Sequence, residues 1–129
     1  MRGRLRVLVV EDSMLIALDI AEHVETWGHE VVGPFPSVTR ALPFANREAV
    51  DAALLDINLG SHHCFPLAAI LRGSGIPFLF LTGHDPTFIP DEFGDAPRLA
   101  KPVDFDELSR ALERLANGTP ARLAAGSTG

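Results

Sequence analysis

Short apolar runs alternate along the chain with longer stretches of helical period, a pattern that predicts a parallel sheet wrapped by helices. The first run predicts a strand from Arg6 to Val10. Ser13 then stands as N-cap of a helix through Met14, Leu15, Leu18, Ile20, Ala21 and Val24 to Trp27, which Gly28 ends. A second strand is predicted near Glu30 to Val32, leading into a turn at Gly33-Pro34-Phe35-Pro36. Ser37 is placed to cap a second helix through Val38, Ala41, Leu42 and Phe44, in spite of Pro43. The third strand, Ala52 to Leu55, is apolar throughout, as expected of a central parallel strand covered on both faces.

Beyond it, Gly60 to Cys64 reads as a loop, and Pro66 falls where a helix should start, before Leu67, Ile70 and Leu71. Gly73-Ser74-Gly75 ends that helix, and Ile76 to Leu81 predicts a fourth strand with Pro77 tolerated at its start. Between His84 and Pro97, the residues Pro86, Pro90, Gly94 and Pro97 leave room for little more than a turn or two of helix. A short fifth strand, Arg98 to Ala100, precedes Lys101, and Asp104 caps a last helix over Phe105, Leu108, Ala111, Leu112 and Leu115. From Asn117 onward Gly, Ala, Ser and Thr dominate, which predicts a flexible tail over 117–129 behind one domain at 5–116. The fold class is therefore α/β: a single doubly wound, five-stranded parallel sheet in a three-layer sandwich, with a short or irregular fourth helix.

Composition narrows the function classes. At 129 residues, 47% apolar and 22% charged, the chain has a globular profile and the length of one domain. Its longest apolar runs fall well short of the ~20 residues that cross a bilayer, so no membrane role is expected. Met1-Arg2-Gly3-Arg4 is basic, but the apolar run behind it stops at Glu11-Asp12, unlike a secretory signal. The lone Cys64 excludes an intramolecular disulfide and fits a reducing compartment, so a cytoplasmic location is expected. A net charge of -6 argues against direct nucleic-acid binding, which needs a basic face.

The chemistry-bearing residues collect at strand ends. Glu11 and Asp12 follow the first strand, Asp56 the third, Thr82 the fourth and Lys101 the fifth. Lys101 is the sole lysine in a chain that otherwise uses arginine; its compact ammonium can follow a single anionic oxygen where a guanidinium would impose its fork. Any one of these acids alone reads equally well as a solvated loop residue. Thr82 alone reads as a turn residue before Gly83. Their order along five strands is what carries information, because open α/β sheets place ligands outside the carboxyl edge of the central strands. His62-His63-Cys64 suggests a metal site, but neighbouring histidines point apart and no fourth ligand is evident, so these read as loop residues.

Taken together, Glu11-Asp12, Asp56, Thr82 and Lys101-Pro102 resemble the signature of a response-regulator receiver domain, with a flavodoxin-like (CheY-like) fold. The resemblance spans Arg6 to Ala116. It implies a single-domain regulator or relay element of a two-component phosphorelay. Asp56 would accept a phosphoryl group from a histidine kinase or histidine phosphotransfer protein. The protein would be a phosphoacceptor catalysing only its own phosphorylation and slow dephosphorylation, not a conventional enzyme. Asp12 and Asp56 would ligate Mg2+ directly, Glu11 directly or through water, with the backbone carbonyl of Asn58 completing the protein's share. Thr82 and Lys101 would each meet a phosphoryl oxygen, Gly83 would leave room beside them, and the Lys101-Pro102 bond would be cis. The positions of Asn58 and His84 would influence the lifetime of the acyl phosphate.

Two features depart from the family's usual pattern. Arg98 occupies the position three residues before the lysine where an aromatic ring ordinarily rotates, and the fourth helix is broken by prolines. Both, with Pro77-Phe78-Leu79-Phe80-Leu81-Thr82-Gly83, resemble an atypical subgroup named for its Phe-Ala-Thr-Gly-Tyr motif, from which Leu81 and His84 deviate. Ordering of His84 to Pro97 on phosphorylation is the output this implies. Rival classes fit less well. A haloacid-dehalogenase-type phosphatase built on Asp12 would need an acid where Met14 stands, and a flavodoxin would need a hydroxyl- and glycine-rich loop where the acidic pair stands. A pseudo-receiver, binding partners without phosphorylation, is the remaining alternative.

Overall fold

The computed structural model describes residues 4–60, 62–83 and 89–117. The strands and helices in chain order are β1 (Arg6–Val10), α1 (Met14–Thr26), β2 (Glu30–Phe35), α2 (Val38–Ala41), β3 (Ala52–Asp56), β4 (Asn58–Leu59), β5 (His62–His63), α3 (Phe65–Gly73), β6 (Phe78–Thr82), β7 (Arg98–Ala100) and α4 (Phe105–Asn117). Five of the strands form a parallel sheet in the order β2-β1-β3-β6-β7. Counting those five alone, the order is 2-1-3-4-5, that of the doubly wound class.

Alternation along each strand divides the core in two. Leu8 and Val10 of β1, Leu55 of β3 and Phe80 of β6 face one layer with Leu67 and Leu71 of α3. Val7, Val9, Leu54, Leu79 and Leu81 face the other, against Ile20 and Val24 of α1 and Leu108 and Leu112 of α4. β3 is buried at every residue, which explains its uninterrupted apolar sequence.

The predicted caps are present. The Ser13 hydroxyl accepts from Ile16 N at 3.5 Å, that of Ser37 from Arg40 N at 3.2 Å, and the Asp104 carboxylate from Glu107 N at 3.1 Å. Gly28, with φ 95°, takes the left-handed conformation that follows α1.

Three expectations need correction, and a fourth, the short or irregular helix before β7, is met. The strand predicted to stop at Val32 continues to Phe35 through Gly33-Pro34, a cis bond, with a register shift against β1 between Leu8 and Val10. Gly33 permits this: its φ is 107°, and a Cβ there would stand 2.9 Å from Phe35 N and 3.1 Å from Val9 O. The second helix survives Pro43 only as far as Ala41, and Leu42–Phe44 form a 3-10 turn. The segment read as a loop at Gly60 to Cys64 contains β5, which pairs antiparallel with β4, matching Asn58 to His63 and Leu59 to His62. In the place of a fourth helix, the described residues hold a single 3-10 turn, Asp91–Phe93.

That turn is firmly attached. Phe93 is buried and stacks on Phe65 at 5.8 Å, and the Arg72 guanidinium of α3 lies 5.3 Å over its ring. Arg72 also donates to the Glu92 carbonyl and pairs with Asp95 at 3.4 Å. Of the stretch expected to become ordered on phosphorylation, Glu92, Phe93 and Asp95 make these contacts; 84–88, including His84, lie outside the described residues, as do 118–129 of the predicted tail.

Candidate functional site

Because β1, β3, β6 and β7 are parallel neighbours, residues just past their carboxyl ends converge on one edge of the sheet. Glu11 is held there by its own N–H, which donates to the Phe35 carbonyl at 3.0 Å. Asp56 closes β3. Lys101 is aligned by its N–H on the Thr82 carbonyl at 2.7 Å, and the Lys101-Pro102 bond is cis, as the resemblance implied.

The lysine reaches back across the edge to the acids. Its Nζ stands 2.8 Å from Glu11 Oε1 and 3.2 Å from Asp56 Oδ2; the lysine side chain is 17% exposed and the two acids only 1% and 5%. Backbone donors hold the other carboxylate oxygens. Ser13 N donates to Glu11 Oε2 at 3.1 Å, and Asn58 N donates to Asp56 Oδ1 at 3.3 Å. Glu11 Oε1 is fully buried, and the partner it meets among the described residues is the Lys101 ammonium at 2.8 Å.

Burial pushes the Asp56 carboxyl up, the adjacent Glu11 carboxylate pushes it further, and Lys101 only partly offsets them, leaving it at about 7. Burial by itself would lower Lys101, but its two carboxylate partners outweigh this and hold the ammonium above the ordinary lysine value. The site is therefore short of positive charge. An oxygen of Glu11, one of Asp12 and one of Asp56 lie within 4.8 Å of one another, with Asp12 exposed at the mouth. An all-oxygen donor set of three carboxylates facing one ammonium suits a hard divalent cation such as Mg2+. The cluster is the candidate metal-holding group among the described residues; His62, His63 and Cys64 are not part of it. Cys64 is buried, and burial pushes its thiol up to about 12, far from the thiolate a metal requires.

Thr82 lies half-buried at the end of β6, and its hydroxyl donates to the Leu99 carbonyl at 3.4 Å. Beside it, a Cβ at Gly83 would meet nothing within 4 Å among the described residues, its chain neighbours aside. Asn58 stands two residues past Asp56, in β4. Arg98 is exposed, and its Nη2 donates to the Gly94 and Ala96 carbonyls at 3.0 and 3.3 Å. Sequence reasoning found every acid and the lysine but missed this arginine contact, which no local signal announces.

No family model matches the chain. Among curated proteins it is 32% identical over 112 residues to the phyllosphere-induced regulator PhyR of Methylorubrum extorquens, covering 84% of this chain and 42% of that protein. The chain spans about half the length of the curated relatives it matches. Among solved structures it is similar to SdrG from Sphingomonas melonis Fr1, at 34% identity and a TM-score of 0.77, covering 89% of this chain and 98% of that one. It is also similar to the signal receiver domain of a modulated diguanylate cyclase from Desulfovibrio desulfuricans, at 29% identity and a TM-score of 0.77, covering 93% and 99%.

Proposed function

The chain belongs to the response-regulator receiver domains, and from that premise we propose that it accepts a phosphoryl group on Asp56 in two-component signalling. The observation that carries this reading is the juxtaposition of a buried carboxylate with an ammonium 3.2 Å away and two further acids, all at one sheet edge. A pocket for phosphorylation-independent docking alone has no need of this arrangement.

In the proposed step an Asp56 oxygen attacks the phosphorus of a phosphohistidine on a histidine kinase or phosphotransfer protein. The new O–P bond forms as the P–N bond breaks, and the departing imidazole nitrogen keeps the electron pair. Lys101 meets one phosphoryl oxygen, giving up part of its contact with Asp56. Thr82 turns its hydroxyl from the Leu99 carbonyl to another. Glu11, Asp12, Asp56 and the Asn58 carbonyl would hold Mg2+, which supplies the charge that offsets the crowded anionic oxygens. Ser13 N and Asn58 N keep the carboxylates oriented throughout. We assign the receiver unit to 5–116.

SdrG has been solved in a BeF3-activated conformation, which suggests a direct test. Adding beryllium fluoride with Mg2+ to this protein is expected to shift the amide resonances of Asp56, Thr82 and Lys101. Without Mg2+, or in Asp56→Asn, the same addition leaves them in place. Shifts of equal size in that variant would refute Asp56 as acceptor.

A further inference from the structure

The turn before α2, the β4–β5 hairpin and the start of α3 enclose a cavity of about 470 Å3, outside the acidic cluster. Its volume lies in the range of ~300–1,000 Å3 typical of small-molecule sites. The floor is apolar: Val38, Leu59, Phe65 and Pro66. Leu59 is buried and Phe65 half-buried, its ring edge-on to Phe80 and flat on Phe93, each at 5.8 Å, and tilted against His63 at 5.7 Å, while Pro66 is exposed.

The rim is polar: Ser37, Thr39, His62 and His63. The Ser37 oxygen accepts from Arg40 N, which leaves its hydrogen to donate outward. Both histidines are exposed, and an imidazole carries at least one N–H donor in either protonation state. No carboxylate lines the cavity among the described residues, although the chain as a whole carries a charge of -6. A flat apolar floor under a rim of donors without acids is complementary to a ring bearing an anion. We propose that this cavity binds a compact aromatic carboxylate, its ring on Leu59, Phe65 and Pro66 and its carboxylate among the histidines and hydroxyls.

Such a ligand would be felt at the sheet edge. The hairpin that walls the cavity starts at Asn58, whose N–H holds Asp56 Oδ1, and it is tied back by Cys64 N on the Ile57 carbonyl at 3.0 Å. Occupancy therefore biases the placement of the phosphoacceptor, a consequence that rests on the function proposed above.

Amide NMR titration of the full chain with naphthalene-2-carboxylate tests binding without any phosphorylation step. Saturable shifts centred on Leu59, His63 and Phe65 are expected. Thr39→Trp, at an exposed rim position where folding tolerates change, is expected to weaken binding by roughly tenfold or more by filling the cavity. His62→Ala with His63→Ala should weaken the carboxylate by about fivefold while leaving the neutral naphthalenemethanol unchanged. Absence of saturable shifts, shifts centred elsewhere, or indifference to Thr39→Trp would overturn the site. A changed rate of Asp56 phosphorylation at saturating ligand, abolished by Thr39→Trp, supports the coupling, and an unchanged rate overturns the coupling alone.

Discussion

The function proposed above puts two conflicting demands on Asp56: it sits buried at the core edge, and it would have to be ionised to attack. Its folded value of about 7 is above the ordinary 3.8, so the folded state disfavours the charge. Below pH 4 both folded and unfolded chains hold the proton and the group has no effect on stability. Between pH 4 and 7 the unfolded chain releases it first, so a destabilising contribution grows and then stays constant above pH 7. In chelator, Asp56→Asn is therefore expected to be more stable than the wild type at pH 8, by on the order of 2–4 kcal/mol, with the difference vanishing toward pH 4. Mg2+ should stabilise the wild type and not the variant. Thermal unfolding across pH checks both; a variant less stable than wild type at pH 8 would show that Asp56 is not held against its charge. The identity and strand-end position of this residue were legible in the sequence, but its raised value was not, because it comes first from burial in the assembled core and then from Glu11, which the β1–β3 pairing brings alongside.

At the scale of elements, legibility followed the range of the forces involved. Helix caps at Ser13, Ser37 and Asp104 are local and were readable; so were the strands whose apolar runs stand between polar ends. The continuation of β2 through Gly33-Pro34 was not, since it depends on pairing with β1 and on the close approach of Val9 and Phe35. The β4–β5 hairpin likewise rests on pairing that no periodicity marks in two-residue strands. Arg98 is the most instructive element-scale case. Where a receiver ordinarily carries a mobile ring, its guanidinium ties β7 to the Gly94 and Ala96 carbonyls, and Arg72 ties the same turn to α3. The turn is clamped from two sides, so ring rotation has no counterpart here. Arg98→Ala should cost about 1 kcal/mol and speed amide exchange around Gly94 and Ala96, with the rate of phosphorylation unchanged. Exchange that stays at the wild-type rate would mean the guanidinium does not hold the turn.

At the scale of the molecule, the converging strand ends place the buried Asp56 at the sheet edge from which α1 departs, and on α1 Met14, Leu15 and Leu18 are exposed at 55%, 83% and 53%. Under the proposed function, this row of large apolar side chains on α1 is where a phosphohistidine-bearing donor would dock. Leu15→Asp is expected to slow transfer from such a donor by roughly tenfold or more, since an exposed apolar anchor at an interface contributes more than 1 kcal/mol. Its rate with acetyl phosphate should not change, because that donor needs no surface. Equal slowing with both donors would place the effect in the site and not in docking. Among the described residues no helix is long and apolar enough to cross a membrane, and the sheet is that of a response-regulator receiver domain, with three acids gathered at one edge.

The most direct measurement is the intact mass of the wild type and Asp56→Asn after incubation with acetyl phosphate, with and without Mg2+. The proposed chemistry requires one added phosphoryl group in the wild type, only when Mg2+ is present, and none in the variant. A folded wild type that gains no mass under conditions that phosphorylate a control receiver would contradict it.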